Sequence, residues 1–444
     1  MEKHLNDSKF IEALISVVPS KRQLELHKMG YYNFIHFGLN TFTKKEWGSG
    51  SVSPEMFRLR DINVEKWVTD LKSTGSKGIV ITAKHHDGFC LFPSKYTDYT
   101  IASTVYKDGK GDIVGELAAA CKKHSMKLGV YLSPWDRHEK TYGTKEYSSF
   151  FVGQLTELCS NYGELFCVWF DGACGEGKNG RVPKYDWERY YKTIRALQPN
   201  ACIINCGPDF RWIGNEFGKA RESEYSVVPA SSYNQDIIAA ASQQKEGAAV
   251  MTVKRSKKKP DIGLRETLVG KNLCWYPSEM DIPVTYFGWF YRREFELFFT
   301  RTVGNLCRCW YNSVGHNATI IVNVPPNKNG ELPKKFIKRM CAARGRIENR
   351  LSSEIKHTRL DGDFEIKVSF PQQMVRTVSL SEDVLQGQRV EEFEIIANKK
   401  VIYRGKTIGL KQICLFKRVN CSELTVKITQ CRSLPQIAEI HLYN

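Results

Sequence analysis

Over the first 350 positions, short apolar runs alternate with longer amphipathic stretches at intervals of roughly forty residues, the pattern of repeated βα units. Strand-forming runs occur at 32–38, 78–83, 127–132, 166–171 and 201–205. Residues 221–228, 272–277 and 318–324 are candidates for three more. Residues 64–74 place Val64, Trp67, Val68 and Leu71 on one helical face, and Gly75 ends that helix. Further helices are predicted over 113–124 after an Asp112 cap, and over 146–161, 185–197 and 292–303. Residues 247–263 hold a basic run and a proline and read as a long loop. No glycine-rich dinucleotide fingerprint follows the first strand. A closed α/β barrel of the (β/α)8 type is therefore expected rather than an open doubly wound sheet.

The pattern breaks at Pro325-Pro326. A connecting helix is predicted over 334–350, and beyond it the runs are short and alternating: 364–370, 374–380, 390–397, 411–416, 424–429 and 437–443. That spacing indicates an antiparallel β-sandwich. The expected division is a barrel unit over residues 1–350, including an N-terminal extension and the connecting helix, and a sandwich over 351–444.

A chain of 444 residues suits one barrel plus a smaller domain. With 42% hydrophobic and 25% charged residues it is ordinary for a soluble globular protein, and no apolar run is long enough to span a bilayer. The first 18 residues mix charges with a short apolar patch and do not read as a secretory signal. The chain is expected to be exported if this is a mature form, and cytoplasmic otherwise. The net charge of +17 permits polyanion binding, but no nucleic-acid motif appears. The basic residues are dispersed apart from clusters at 254–259 and 334–339, which fits a solvated surface. The 14 cysteines are scattered, with Cys167, Cys202 and Cys414 inside apolar strands, so free buried thiols are expected. Neither Cys307 with Cys309 nor Cys202 with Cys206 has zinc-site spacing.

Five strands end in polar or aromatic side chains: His36, the His85-His86-Asp87 run, Tyr131, Asp171 and Asn205. On a barrel these ends face one pocket. Trp47, Trp135, Trp169 and Trp289 lie in or beside the same loops. Polar groups interleaved with tryptophan suit a sugar, which offers hydroxyls at its edges and C–H groups on its faces. His85 and His86 have a rival reading as metal ligands, but neighbours on an extended segment point to opposite sides, which favours hydrogen bonding to a ligand. Glycoside hydrolysis normally uses two carboxyl groups, one of them kept protonated near neutral pH. Asp171 is one candidate; Asp209, Glu216, Glu222, Glu224, Glu279 and Asp281 are candidates for the other. The loop at 206–218, rich in glycine and aromatic residues, is favoured, without a choice between Asp209 and Glu216.

These stretches together resemble the α-L-fucosidases of glycoside hydrolase family 29. The resemblance lies in His36-Phe37-Gly38, the 40–48 loop with Glu46-Trp47, Lys84-His85-His86-Asp87-Gly88-Phe89 and Val168-Trp169-Phe170-Asp171-Gly172, then the 207–218 loop, Tyr276-Pro277-Ser278-Glu279-Met280-Asp281 and Gly288-Trp289-Phe290-Tyr291. It runs from about residue 32 to the C-terminus, with the motifs in family order. The Gly-Pro-Asp, Arg-Trp and Gly-Asn-Glu elements of the 207–218 loop are similar to the subfamily preferring α-1,3- and α-1,4-linked fucose, as in Lewis-type glycans. The resemblance implies a retaining double displacement; no cofactor or metal is expected. Asp171 would be the nucleophile and Glu216 the general acid/base, while His36, Glu46, Trp47, His85, His86, Tyr131 and Trp289 would hold the fucose. The implied partner is a fucosylated oligosaccharide or glycoconjugate. A catalytically silent fucose-binding protein on the same scaffold is the alternative. Cys174 stands where asparagine is expected and Arg292 where histidine is common, both on the leaving-group side.

Overall fold

The computed structural model describes residues 7–221, 224–233, 262–358 and 363–444. Its first ten strands are β1 (Tyr31–Ile35), β2 (Gly78–Lys84), β3 (Lys127–Leu132), β4 (Leu165–Phe170), β5 (Cys202–Asn205), β6 (Arg211–Trp212), β7 (Val227–Pro229), β8 (Leu273–Trp275), β9 (Ser278–Pro283) and β10 (Ala318–Asn323). Eight of them form one sheet in the order β5-β4-β3-β2-β1-β10-β9-β6, with every neighbouring pair parallel. The sheet nearly closes: Ile204 and Phe210 form a parallel bridge, and the Asn205 N–H donates to the Phe210 carbonyl at 2.9 Å.

Alternation along the strands creates two cores. Tyr32, Phe34, Val80, Tyr131, Trp169, Ile204 and Ile321 fill the barrel interior. Ile35, Ile79, Ile81, Val168 and Phe170 face outward into the layer shared with the helices. There the Val64–Ser73 helix buries the predicted face of Val64, Trp67, Val68 and Leu71. Trp67 also donates its indole N–H to the Gly330 carbonyl at 2.7 Å, so its polar edge is satisfied. The Lys21–Met29 helix, opened by a Ser20/Gln23 capping box, adds Leu26 and Met29 to the interior core.

Three strand assignments differ from the sequence pattern. The described residues of the 221–228 run do not enter the barrel. Their end forms β7, which pairs antiparallel with β8 in a separate two-stranded sheet. The barrel instead takes the two-residue β6, which has too few positions to show a period. It also takes β9, just beyond the expected 272–277 run. β9 alternates Glu279 and Asp281 with Met280 and Ile282, and acids in an inward row mask its strand character. The predicted 292–303 helix is two helices, Arg293–Phe298 and Val303–Ser313. The loop expected at 247–263 lies, up to residue 261, outside the described residues, as does the 254–259 basic cluster.

The Lys334–Ser352 helix leads into β11 (Glu354–Thr358), β12 (Glu365–Glu382), β13 (Val390–Ala397), β14 (Lys400–Gly405), β15 (Gln412–Cys431) and β16 (Ile437–Tyr443). They pair antiparallel in the order β11-β16-β12-β15-β13-β14. β12 and β15 each join two of the predicted runs into one long strand, with register shifts between them at Ser369/Gln373 and Val375/Thr377. Such irregularities bend strands, and both halves of the sheet contribute to a single apolar core that includes Ile366, Val378, Phe393, Val426 and Leu442. Among the described residues, no helix is long and apolar enough to cross a membrane.

Candidate active site

The C-terminal ends of the barrel strands converge as the alternation predicts. His36 follows β1, His85 and His86 follow β2, Tyr131 lies within β3, and Asp171 follows β4. The Tyr131 hydroxyl donates to Asp171 Oδ2 at 2.9 Å, and the Ala173 backbone N–H donates to Oδ1 at 2.8 Å. Two donors on different oxygens fix the carboxylate's orientation. Its side chain keeps 26% exposure, enough for a ligand to reach it.

The hydrogen bonds settle which imidazole nitrogens face the pocket. Asn323, at the end of β10, donates its amide N–H to the Trp289 carbonyl at 2.7 Å. Its Oδ1 therefore accepts from the His36 backbone N–H at 3.2 Å and from His36 Nδ1 at 2.9 Å. That leaves Nε2 of His36 with its lone pair. Likewise Ser133 donates its only hydroxyl proton to the Trp135 carbonyl and accepts from His86 Nδ1 at 2.7 Å. Nε2 of His86 is then an acceptor, 3.7 Å from Asp171 Oδ2. Burial lowers the pKa of His36 to about 3 and of His86 to about 4, and pushes His85 well below the usual imidazole range. Three neutral imidazoles therefore line one wall. Nδ1 of His85 is buried without a partner among the described residues.

The expected opposite orientation of His85 and His86 is not observed. The chain turns directly after β2, and the two rings lie 4.1 Å apart at 47°. Behind them Lys84 and Asp136 form a fully buried ion pair at 2.8 Å, which ties the end of β2 to the loop after β3. Among the described residues, no three His, Cys, Asp or Glu side chains gather as metal ligands.

Beside the histidines stand residues of two loops. Glu46 Oε2 accepts the Trp289 backbone N–H at 2.8 Å, and Arg292 Nη2 lies 3.7 Å from Oε1. Gly288 makes that approach possible: its φ is +73°, and a Cβ there would meet Glu46 Oε1 at 2.7 Å. Gly48, at φ +65°, similarly leaves no room for a Cβ between Asn40 and Asp87. The Trp47 ring meets Trp135 edge-on at 5.4 Å, and the Trp289 ring lies 5.0 Å from His36. Glu46 has its pKa raised by burial, against the opposing pull of the Trp289 N–H and Arg292.

Glu216 sits in the loop after β6 and its side chain hydrogen-bonds Trp289. Burial raises its pKa to about 7, the Asp171 and Glu46 charges push in the same direction, and the Trp289 bond opposes them. The other acids have different surroundings. Asp209 is held by Arg22 at 3.0 Å, by Arg195 and by the Ile203 N–H at 2.7 Å. Glu224 is paired with Arg211 and Arg221. Glu279 and Asp281 lie inside the barrel, and Glu222 lies outside the described residues. Asn205 donates to the Phe170 carbonyl at 3.0 Å, stitching β5 to β4.

Asn323 and Ser133, which fix two imidazole tautomers, were not singled out by sequence. Asn323 satisfied the strand-end rule that selected His36. Cys174 is buried and hydrogen-bonded with Tyr185 and Tyr142. Arg292 does reach the pocket, through Glu46.

A family model described as Alpha-L-fucosidase matches residues 17–343. The chain is 32% identical to alpha-L-fucosidase 1 of Arabidopsis thaliana, over 96% of this chain and 87% of the relative. Among solved structures, a glycoside hydrolase 29 family member from an unknown rumen bacterium superposes with a TM-score of 0.82 at 31% identity, covering 97% of this chain and 77% of that one. A family 29 fucosidase of Ruminococcus gnavus, solved in complex with fucose, superposes with a TM-score of 0.79 at 28% identity, covering 97% and 95%.

Proposed function

The chain belongs to the α-L-fucosidase family of glycoside hydrolases, and from that premise we propose a retaining exo-α-L-fucosidase acting on terminal α-1,3- and α-1,4-linked fucose of Lewis-type glycans. The observation that supports this reading best is the contrast between two carboxyl groups. Asp171 is open to the pocket and oriented by two donors, while Glu216 is kept protonated to about pH 7. A nucleophile and a general acid need these opposite conditions.

In the first step Asp171 attacks the anomeric carbon while Glu216 protonates the departing glycosidic oxygen. Forming the fucosyl ester removes the charge on Asp171. One of the influences holding the proton on Glu216 then disappears, so Glu216, having given its proton to the leaving group, stays ionised and can take a proton from the water that completes the second step. His36, His85 and His86 offer neutral acceptor nitrogens to fucose hydroxyls. Tyr131 keeps Asp171 in line, Glu46 adds a carboxyl group, and Trp47 and Trp289 face the sugar's C–H surfaces. All of these residues fall in the proposed catalytic unit over 1–350, with the 351–444 sandwich supporting it. The linkage preference rests on the resemblance of the 207–218 loop.

Proton NMR of the sugar released in the first turnovers tests the mechanism, with a nitrophenyl fucoside and a Lewis-type trisaccharide run side by side. α-Fucose should appear first, and the trisaccharide should be cleaved ahead of an α-1,2-linked disaccharide. First release of β-fucose would refute the double displacement. Preference for the α-1,2 linkage would refute the subfamily assignment alone.

A further inference from the structure

Beneath the pocket, β9 turns two consecutive inward positions, Glu279 and Asp281, into the barrel. Both side chains are buried, with residue exposures of 0% and 3%. Glu279 Oε2 and Asp281 Oδ1 are buried with no donor beside them among the described residues, and the two carboxyl groups lie within hydrogen-bond reach of each other. Two carboxylates offer only acceptors, so a direct bond between them requires a proton. Glu279 Oε1 also accepts the Trp169 indole N–H at 2.8 Å. The Trp169 ring stacks on Tyr131 at 5.5 Å and 22°, and the Tyr131 hydroxyl holds Asp171. An unbroken series of contacts thus runs from the acid pair to the pocket carboxylate.

We infer that Glu279 and Asp281 share a proton and act as one positioning unit that anchors Trp169, and through Trp169 and Tyr131 orients Asp171. This rests on the assignment of Asp171 and Glu216 proposed above. Asp281 supplies the O–H, and Glu279 accepts from both Asp281 and Trp169. Among the described residues, the charged groups around the pair give no cation to replace that proton. Asp171 and Glu216 are acids that act on Asp281. Arg211, on the neighbouring β6, is committed to Glu224 and the Tyr276 carbonyl. Arg301, near the end of β9, serves the carbonyls of Pro283, Thr285 and Glu216. From β10, Thr319 and Ile321 stand opposite Glu279 and Asp281 in the register, and neither is charged. Burial raises the pKa of both acids, and the charge of Glu279 raises Asp281 further. A protonated Asp281 therefore adds no second charge below Asp171.

Three measurements on the full chain test this. The infrared difference spectrum of wild type minus Asp281→Asn at neutral pH should contain a protonated-carboxyl C=O stretch; its absence overturns the shared proton. Asp281→Asn, neutral and nearly isosteric, should leave the alkaline limb of kcat/KM in place. A downward move of about one pH unit would mean a full charge had been removed and would overturn the proposal. Glu279→Ala should lower kcat by roughly 10²-fold with little change in KM, and Glu279→Gln should restore most of it. Trp169→Phe, which keeps an aromatic ring against Tyr131 but removes the indole donor, should lower kcat in the same sense if the alanine variant does not fold. Wild-type kcat in either variant overturns the positioning role. The infrared signature does not depend on turnover, so it stands even if Asp171→Ala stays active and the catalytic assignment fails.

Discussion

At the scale of single residues, the working pH range is set by what surrounds each carboxyl group rather than by its type. Glu216 must be protonated to act as an acid, and its pKa is raised to about 7. The rate constant kcat/KM should therefore fall as pH rises through about 7, and a pH–rate profile of Glu216→Gln should lack that limb. The same variant should lose roughly 10²- to 10⁴-fold on a Lewis-type trisaccharide, whose leaving group needs the proton, and much less on a nitrophenyl fucoside. Azide should speed the latter and yield a fucosyl azide. Equal damage to both substrates without azide rescue would leave Glu216 a binding residue only. Asp171→Ala should reduce turnover by roughly 10⁴-fold or more on both substrates while fucose still binds, as measured by calorimetry. Near-normal rates would remove Asp171 from the role of nucleophile.

Among the elements, the ends of β2 and β3 decide whether the histidine wall stands. The Lys84 ammonium is fully buried between Asp136 and the rings of Tyr147, Phe150 and Phe151. Asp136 in turn accepts the backbone N–H groups of His138 and Glu139 at 2.9 Å each. Removing only the cation strands a buried carboxylate. Lys84→Met should cost about 3–5 kcal/mol of stability, read as a lower denaturant midpoint, whereas Lys84→Met with Asp136→Leu should recover part of it. A single variant as stable as the wild type would show that the pair is not what ties these loops together.

For the molecule as a whole, stability depends on how the C-terminal sandwich grips the loops outside the barrel. Glu391, on β13, accepts from Arg265 and from Arg432, whose side chain is fully buried. Gln388 accepts the backbone N–H groups of Ser226 and Val227, and Asn317 joins the Glu224 carbonyl to the Leu410 N–H. None of these groups touches the pocket. Glu391→Ala should lower stability by about 3–5 kcal/mol in thermal or denaturant unfolding, with kcat/KM unchanged at temperatures where the protein remains folded. A large loss of kcat/KM in the folded variant would mean that this interface also shapes the site.

The sequence by itself determined the features whose cause is local. Short continuous apolar runs marked β1 to β5 and β10, because both faces of these strands are buried. The ends of the same runs singled out His36, Tyr131 and Asp171, and family motifs pointed to Glu46, Trp47, Glu216 and Trp289. Only the tertiary structure decided the rest, because its causes lie in distant segments. β6 exists through its pairing with β9, where the Arg211 N–H bonds the Pro277 carbonyl and the Ile213 N–H bonds the Glu279 carbonyl. Asp209 and Glu216 share one loop, and nothing in their local sequence separates them. Arg22 and Arg195 neutralise the first, while burial, helped by the charges of Asp171 and Glu46 from other parts of the chain, raises the pKa of the second. Protonation states are set by burial and by charges across space, and a linear pattern contains neither.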